Sequence, residues 1–150
     1  MTNISLDDIS IRTELRPGDI GYVTYLHGAL YHKEYGYSLQ FENYVAKGLC
    51  EFYEKYNPER SRIWACEYDN HMIGFLLLMD RGIGLGSKLM GLYMDFLHEC
   101  GYKESYLWTT HELSTAAFLY KRLGFKLTEE KESTAFGKPL PEQRYDLYLP

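Results

Sequence analysis

The chain has 150 residues, of which 45% are hydrophobic and 16% aromatic, so we expect one domain over residues 1–150 with a core of its own. Its formal net charge of -5 argues against nucleic-acid binding, because a nucleic-acid surface needs clustered Lys and Arg. The cysteines Cys50, Cys66 and Cys100 form no C-x-x-C pair, which predicts neither a disulfide framework nor a zinc site.

Targeting, membrane and metal signals are weak throughout the chain. Residues 1–16 contain no basic segment followed by an apolar block, and no stretch approaches the roughly 20 apolar residues that cross a bilayer. No H-E-x-x-H or H-x-H pattern indicates a metal site. We therefore expect a cytoplasmic protein with no metal and no membrane partner.

The predicted elements begin with a strand around Ile9 and Ile11, which alternate with polar neighbours. A turn over residues 16–19 follows, with Asp19 as a candidate cap for a helix over residues 20–31.

Helices and strands then alternate along the rest of the chain. A second helix is predicted over residues 38–56, because apolar residues recur there at intervals of three to four. Ser114 or Thr115 can cap a later, short helix. After the second helix, two strands are predicted over residues 62–68 and 72–79, joined by a turn over residues 69–71. A helix over residues 87–100 follows and is ended by Gly101. The remaining elements are a strand over residues 105–109, the short helix, which is ended by Gly124, and a last strand over residues 144–149. This order predicts an α/β (α+β) layer architecture.

The most informative segment is a glycine loop at the start of the third helix. It consists of Arg81, Gly82, Ile83, Gly84, Leu85, Gly86 and Ser87. A helix N-terminus carries unpaired N–H groups and about half a positive charge, so proteins usually place Asp or Glu there. Here Arg81 and Lys88 lie near that turn, and no acid occurs between Arg81 and Met94. The pattern predicts a phosphate site, and a glycine turn that merely caps a surface helix is the alternative.

Two ordered motifs resemble the GNAT superfamily of acyl-CoA-dependent N-acyltransferases. The acyl-CoA loop of that family follows R/Q-x-x-G-x-G/A at the start of a helix, and Arg81, Gly84 and Gly86 occupy those positions. A second family element, A-x-x-x-Y followed by G-F, is present at residues 116–120 and 124–125.

The end of the chain, from residue 129 to 147, is similar to the GNAT subgroup that is also found fused to MarR-type regulators. The resemblance implies a mixed, mostly antiparallel central sheet flanked by helices. It also implies an enzyme that transfers an acetyl group from acetyl-CoA directly to a primary amine of a small molecule or a protein. Acetyl-CoA and the amine acceptor are the expected partners, and a homodimer is a candidate assembly.

The resemblance also assigns residues to this chemistry. Backbone N–H groups of residues 81–87 would hold the CoA pyrophosphate, and Tyr120 is the candidate acid for the departing thiolate. An ordinary core tyrosine is the alternative for Tyr120. The family often has Asn three residues before the motif alanine, where this chain has Leu113.

By the same resemblance, the aromatic residues of the first helix and its exit cover the acceptor pocket. We assign acceptor binding to Tyr31 and Tyr35, with packing against the core as the alternative. Further titratable residues considered for proton transfer or binding are Glu34, Glu42, Glu67 and His111.

One feature departs from the family pattern. Family members have another strand between the equivalent of residues 72–79 and the glycine loop, where this chain has only Asp80. An antiparallel strand of about seven residues displaces the chain by about 23 Å, whereas one peptide step covers about 3.8 Å. The segment is missing from this sequence, or the protein has lost it, or the earlier strands have shifted by one place. We favour the first explanation, because losing a central strand would expose an apolar edge.

Two other functions stay open. A dinucleotide-binding oxidoreductase fragment would also combine a glycine loop with a helix, although the G-x-G-x-x-G spacing fails at Leu89. A catalytically silent acyl-CoA-binding regulatory module would keep the loop and lack a base, and the absent strand favours this alternative.

Overall fold

The computed structural model describes residues 5–75 and 85–150. The chain forms two compact units. The first unit comprises Met1–Leu15 and Asn57–Lys103, and the second comprises Arg16–Tyr56 and Glu104–Pro150. The single domain expected over residues 1–150 stays a prediction.

Helices and strands account for most of the described residues. The helices are α1 (Asp19–Tyr35), α2 (Leu39–Glu54), α3 (Leu85–Glu99) and α4 (Ser114–Arg122). The strands are β1 (Ser10–Arg12), β2 (Ala65–Tyr68), β3 (His71–Phe75), β4 (Glu104–Thr110), β5 (Lys126–Ser133) and β6 (Leu140–Tyr148). Over the described ranges, no helix combines the length and apolar character needed to cross a membrane.

The first unit contains an antiparallel sheet in the order β1-β2-β3 and the helix α3. Trp64, Cys66, Leu89 and Phe96 form its buried core. Leu89 and Phe96 are seven residues apart, so they lie on one face of α3. The helix predicted over residues 87–100 therefore buries one face against the sheet of its unit.

The β2–β3 hairpin turns at Asp69 and Asn70, whose φ values of 50° and 60° are left-handed. Two-residue hairpin loops favour such turns, because their twist matches that of the strands. His71, which the sequence placed in the turn, is instead the first residue of β3. The predicted strand end at residues 76–79 and the proposed gap before Arg81 lie outside the described residues.

The second unit contains an antiparallel sheet in the order β4-β6-β5, together with α1, α2 and α4. Aromatic and aliphatic side chains from α2, the α1–α2 loop, the β5–β6 connection and the start of β6 form a core cluster. Its buried members are Tyr37, Phe41, Phe136 and Leu140. The mixed architecture with antiparallel sheets and helices confirms the predicted fold class.

Two predicted helix caps are wrong. The cap of α1 is Gly18, whose φ of 95° suits glycine, and Asp19 is the first helical residue. The Asp19 carboxylate accepts a hydrogen bond from the Arg16 N–H at 2.7 Å. The cap of α4 is Leu113, so Ser114 lies inside the helix and does not cap it, and neither does Thr115.

Candidate active site

The glycine loop leads into the first turn of α3. Leu85, Gly86 and Ser87 begin this helix, whereas the remaining predicted phosphate-binding residues, Arg81, Gly82, Ile83 and Gly84, lie outside the described residues. The first turn contains no acidic residue. Lys88 is exposed, and the next residue, Leu89, is buried. The backbone N–H groups of such a turn have no helical partner, which is compatible with the predicted anion site.

Tyr31 and Tyr35, the predicted acceptor-binding residues, lie together near the end of α1. Their ring centroids are 5.5 Å apart and the rings are nearly perpendicular. Tyr31 also stacks on Phe41 of α2 at 5.0 Å, with an interplanar angle of 6°. Burial raises the pKa of Tyr31 above its ordinary value. Tyr31 therefore packs α1 against α2, and acceptor binding by either tyrosine stays a prediction.

Tyr120, the predicted acid, is buried in the last turns of α4. Its ring centroid lies 6.0 Å from that of Phe125 and 5.9 Å from that of Tyr145. Burial, with a smaller contribution from Tyr145, raises the pKa of Tyr120 to about 12. Tyr120 also contributes to the raised pKa of Tyr31, so the structure brings these two predicted residues near each other within the second unit.

Tyr37 holds a polar network that the sequence did not reveal. Its ring is 1% exposed, and its hydroxyl donates to Glu112 Oε1 at 3.3 Å. The hydroxyl oxygen also lies 3.0 Å from Thr110 Oγ1, and the Thr110 hydroxyl donates in this second bond because the single phenol proton is already used. Burial is the main cause that raises the pKa of Tyr37 to about 12, so the phenol stays protonated at neutral pH.

Lys138 joins the same network from the β5–β6 connection. Its ammonium lies 3.2 Å from Glu112 Oε1 and donates a hydrogen bond to the backbone carbonyl of Tyr35. It also lies 5.3 Å from the centroid of the Tyr37 ring. Tyr35 ends α1, whereas Tyr37, Glu112 and Lys138 lie in three separate connections, so no local spacing could group all four. The one available signal was a Glu in the loop directly after a strand, where functional residues are common.

Glu67, one of the acids considered for proton transfer or binding, has a structural partner. It lies in the first unit and forms an ion pair with Arg12 at 2.6 Å, with side chains 21% and 12% exposed respectively. Over the described ranges, no three His, Cys, Asp or Glu side chains are grouped so as to hold a metal ion.

Comparison with known proteins places the chain in a family. Residues 81–125 match the acetyltransferase (GNAT) family. The uncharacterized N-acetyltransferase YjgM of Escherichia coli (strain K12) is 31% identical over 114 residues, and the alignment includes 62% of this chain and 68% of YjgM. Because 62% of 150 residues is fewer than 114, the alignment includes YjgM residues that have no counterpart in this chain.

Solved structures share the fold. The structure of yncA from Salmonella typhimurium, with its cofactor acetyl-CoA, has a TM-score of 0.67 at 18% identity and covers 95% of each chain. A GNAT family acetyltransferase from Elizabethkingia anophelis with acetyl-CoA bound has a TM-score of 0.58 at 16% identity, over 95% of this chain and 99% of that one. Together with the match to YjgM, these findings agree with the loop and the A-x-x-x-Y motif: the chain belongs to the acetyltransferase (GNAT) family of enzymes.

Proposed function

We propose that this protein transfers an acetyl group from acetyl-CoA directly to a primary amine of a small molecule or a protein. The observation that carries the proposal is the glycine loop of residues 81–87, which leads into α3 with no acid in the first turn. The same residues fall within the part of the chain that matches the GNAT family. Acetyl-CoA in the structures of yncA and the Elizabethkingia enzyme supports this choice of cosubstrate.

Each proposed residue has a distinct task. Backbone N–H groups of residues 81–87 bind the CoA pyrophosphate, and Tyr31 and Tyr35 bind the acceptor. Acetyl-CoA supplies a thioester whose carbonyl carbon is attacked by the uncharged amine. The C–N bond forms, the C–S bond breaks, and the proton that the nitrogen gives up passes to solvent. Tyr120 donates a hydrogen bond to the departing thiolate, for which burial keeps its phenol protonated. A thiol has an ordinary pKa of about 8.5, so complete proton transfer from a phenol with a pKa of about 12 is uphill.

We also propose that the strand expected before the glycine loop is absent because part of the sequence is missing. YjgM residues without a counterpart in this chain support the view that a stretch is missing from this sequence, and we propose that it lies before Arg81. We further propose that the chain is one cytoplasmic domain, related to the subgroup found fused to MarR-type regulators, and that it forms a homodimer. The similarity of residues 129–147 supports the subgroup assignment.

Calorimetric titration with acetyl-CoA and with NAD tests the cosubstrate. We expect acetyl-CoA to bind and NAD not to bind, and we expect Arg81→Ala to weaken acetyl-CoA binding by about tenfold, because one charged contact to phosphate is lost. Lys55→Ala is the matched control, since Lys55 is an exposed cation on the other unit, paired with Glu51 within α2. Binding of NAD in place of acetyl-CoA would instead support the dinucleotide-binding alternative.

A further inference from the structure

The Lys138 ammonium is held by three kinds of group at once. Glu112 supplies a carboxylate at 3.2 Å, Tyr35 supplies a backbone carbonyl, and Tyr37 presents its ring face at 5.3 Å. A carboxylate, a carbonyl and an aromatic face are the groups that recognise an alkylammonium ion. These three groups thus hold a primary ammonium, which here belongs to a lysine side chain of the same chain.

The groups around the ammonium are fixed by contacts that do not involve Lys138. The Tyr37 hydroxyl is bonded to Thr110 at 3.0 Å, and the Tyr37 carbonyl accepts a hydrogen bond from the His32 ring nitrogen at 2.8 Å. Tyr37 is nearly fully buried, whereas the Glu112 and Lys138 side chains are 21% and 36% exposed. Tyr37 and its carboxylate partner are therefore preorganised, and solvent reaches the ion pair.

We propose that Glu112, the Tyr35 carbonyl and the Tyr37 ring bind the ammonium group of the acceptor, and that Lys138 is an internal competitor which the acceptor displaces. The inference rests on the proposed function, in which the acceptor is a primary amine. Glu112 then selects amines that are protonated at neutral pH over uncharged ones, and the bound ammonium must lose a proton to solvent before its nitrogen can attack the thioester. Lys138 lowers the apparent affinity for every amine by the same factor, because each must displace it.

A purely structural ion pair makes a different prediction. If Glu112 and Lys138 only tie two connections together, removing either partner loosens the same contact and changes amine binding in the same direction. If Lys138 competes with the acceptor, its removal strengthens amine binding, while removal of the Glu112 charge weakens it. Opposite effects of two changes within one ion pair therefore identify the ammonium site.

NMR titration with n-butylammonium chloride, without acetyl-CoA, measures this difference. We expect Lys138→Met to lower the dissociation constant by about tenfold and Glu112→Gln to raise it by about tenfold, as for one charge-assisted hydrogen bond. Glu51→Gln is the control, because Glu51 is also paired with a lysine in the second unit but on the exposed face of α2. It should leave the dissociation constant unchanged, and n-butanol should not distinguish the variants.

An unchanged or raised dissociation constant for Lys138→Met overturns the proposal, as does unchanged binding by folded Glu112→Gln. If Glu112→Gln does not fold, the lower dissociation constant expected for Lys138→Met is by itself the test of the proposal. Acetyl-CoA is titrated separately, which keeps the two proposals distinguishable. Ammonium binding without acetyl-CoA binding would reject the acetyltransferase proposal and keep the site, and the reverse result would reject the site alone.

Discussion

Tyr37 and Tyr120 are both buried tyrosines whose phenol groups stay protonated at neutral pH. The pKa of each is raised to about 12, mainly because burial disfavours the phenolate. In Tyr37 the phenol proton is committed to Glu112, so it fixes that carboxylate. In Tyr120 the ring packs against Phe125 and Tyr145, which leaves the proposed chemistry to its hydroxyl.

The raised tyrosine pKa values predict a loss of stability in alkali. An unfolded tyrosine titrates near pH 10, whereas Tyr37 and Tyr120 hold their protons to about pH 12 in the folded protein. Between these limits the unfolded chain binds fewer protons than the native one, so the free energy of unfolding falls as the pH rises. Urea unfolding at several pH values measures the fall, which should be smaller in Tyr37→Phe and Tyr120→Phe. Equal slopes in all three proteins would contradict the assignment.

Tyr120→Phe separates the proposed chemical role from a packing role. The ring stays in place, so we expect the free energy of unfolding to change by less than about 1.5 kcal/mol, the ordinary value of one hydrogen bond. The hydrogen bond to the departing thiolate is lost, so kcat should fall by about 100-fold with little change in the KM for acetyl-CoA. Steady-state kinetics and urea unfolding give both values. An unchanged kcat would show that Tyr120 is a core tyrosine.

At the level of elements, two glycines set the connections around Tyr37. Gly36 ends α1 with a φ of 73°, and open space surrounds the position of a Cβ. Gly137 has a φ of 92°, and a Cβ there would collide with the Ser38 side chain. The Ser38 N–H also donates to the Phe136 carbonyl at 2.9 Å, which brings the two connections together. Glycine is therefore required at position 137 for two reasons: its φ is positive, and the Ser38 side chain leaves no room for a Cβ.

The pair Gly36→Ala and Gly137→Ala tests this difference. Both changes place a side chain at positive φ, which costs about 1–2 kcal/mol. Only Gly137→Ala adds a collision, so it should lower the free energy of unfolding by clearly more than Gly36→Ala, as measured in urea. Equal losses would show that Ser38 moves aside without cost.

Local patterns predicted the elements better than their caps. The α3 helix ends just before Gly101, whose φ of 70° is the conformation that glycine supplies after a helix. Asp19 is a good capping residue by type, yet Gly18 precedes it and takes the cap position. The side-chain preference was overridden by a local turn, in which the Asp19 N–H donates to the Arg16 carbonyl at 3.0 Å and Gly18 takes the left-handed position.

The candidate site was predictable only where its residues are close in the chain. The glycine loop and Tyr120 belong to motifs of fixed spacing, so the sequence alone is enough to propose them. Tyr37, Glu112 and Lys138 lie on separate connections and meet through the packing of the second unit. Hydrophobic periodicity does not predict tertiary contacts between loop residues, and a charged loop residue usually faces solvent.

At the level of the whole molecule, the proposed absence of a segment before Arg81 can be tested by insertion. YjgM has residues that this chain lacks within their aligned part. If that stretch is the strand before Arg81, inserting the corresponding YjgM residues between Asp80 and Arg81 should raise the midpoint of thermal unfolding and the affinity for acetyl-CoA. A lower midpoint together with weaker acetyl-CoA binding would instead favour a genuine deletion or a shifted strand.

Acetyl transfer to an amine releases the CoA thiol, so thiol release measures the proposed activity. Purified protein is mixed with acetyl-CoA and a panel of primary amines, and free thiol is followed with a chromogenic disulfide. We expect thiol release that depends on an amine in the panel and is matched by an equal amount of acetylated amine in mass spectrometry. Tight binding of acetyl-CoA without thiol release for any amine would contradict the proposal and identify a catalytically silent acyl-CoA-binding module.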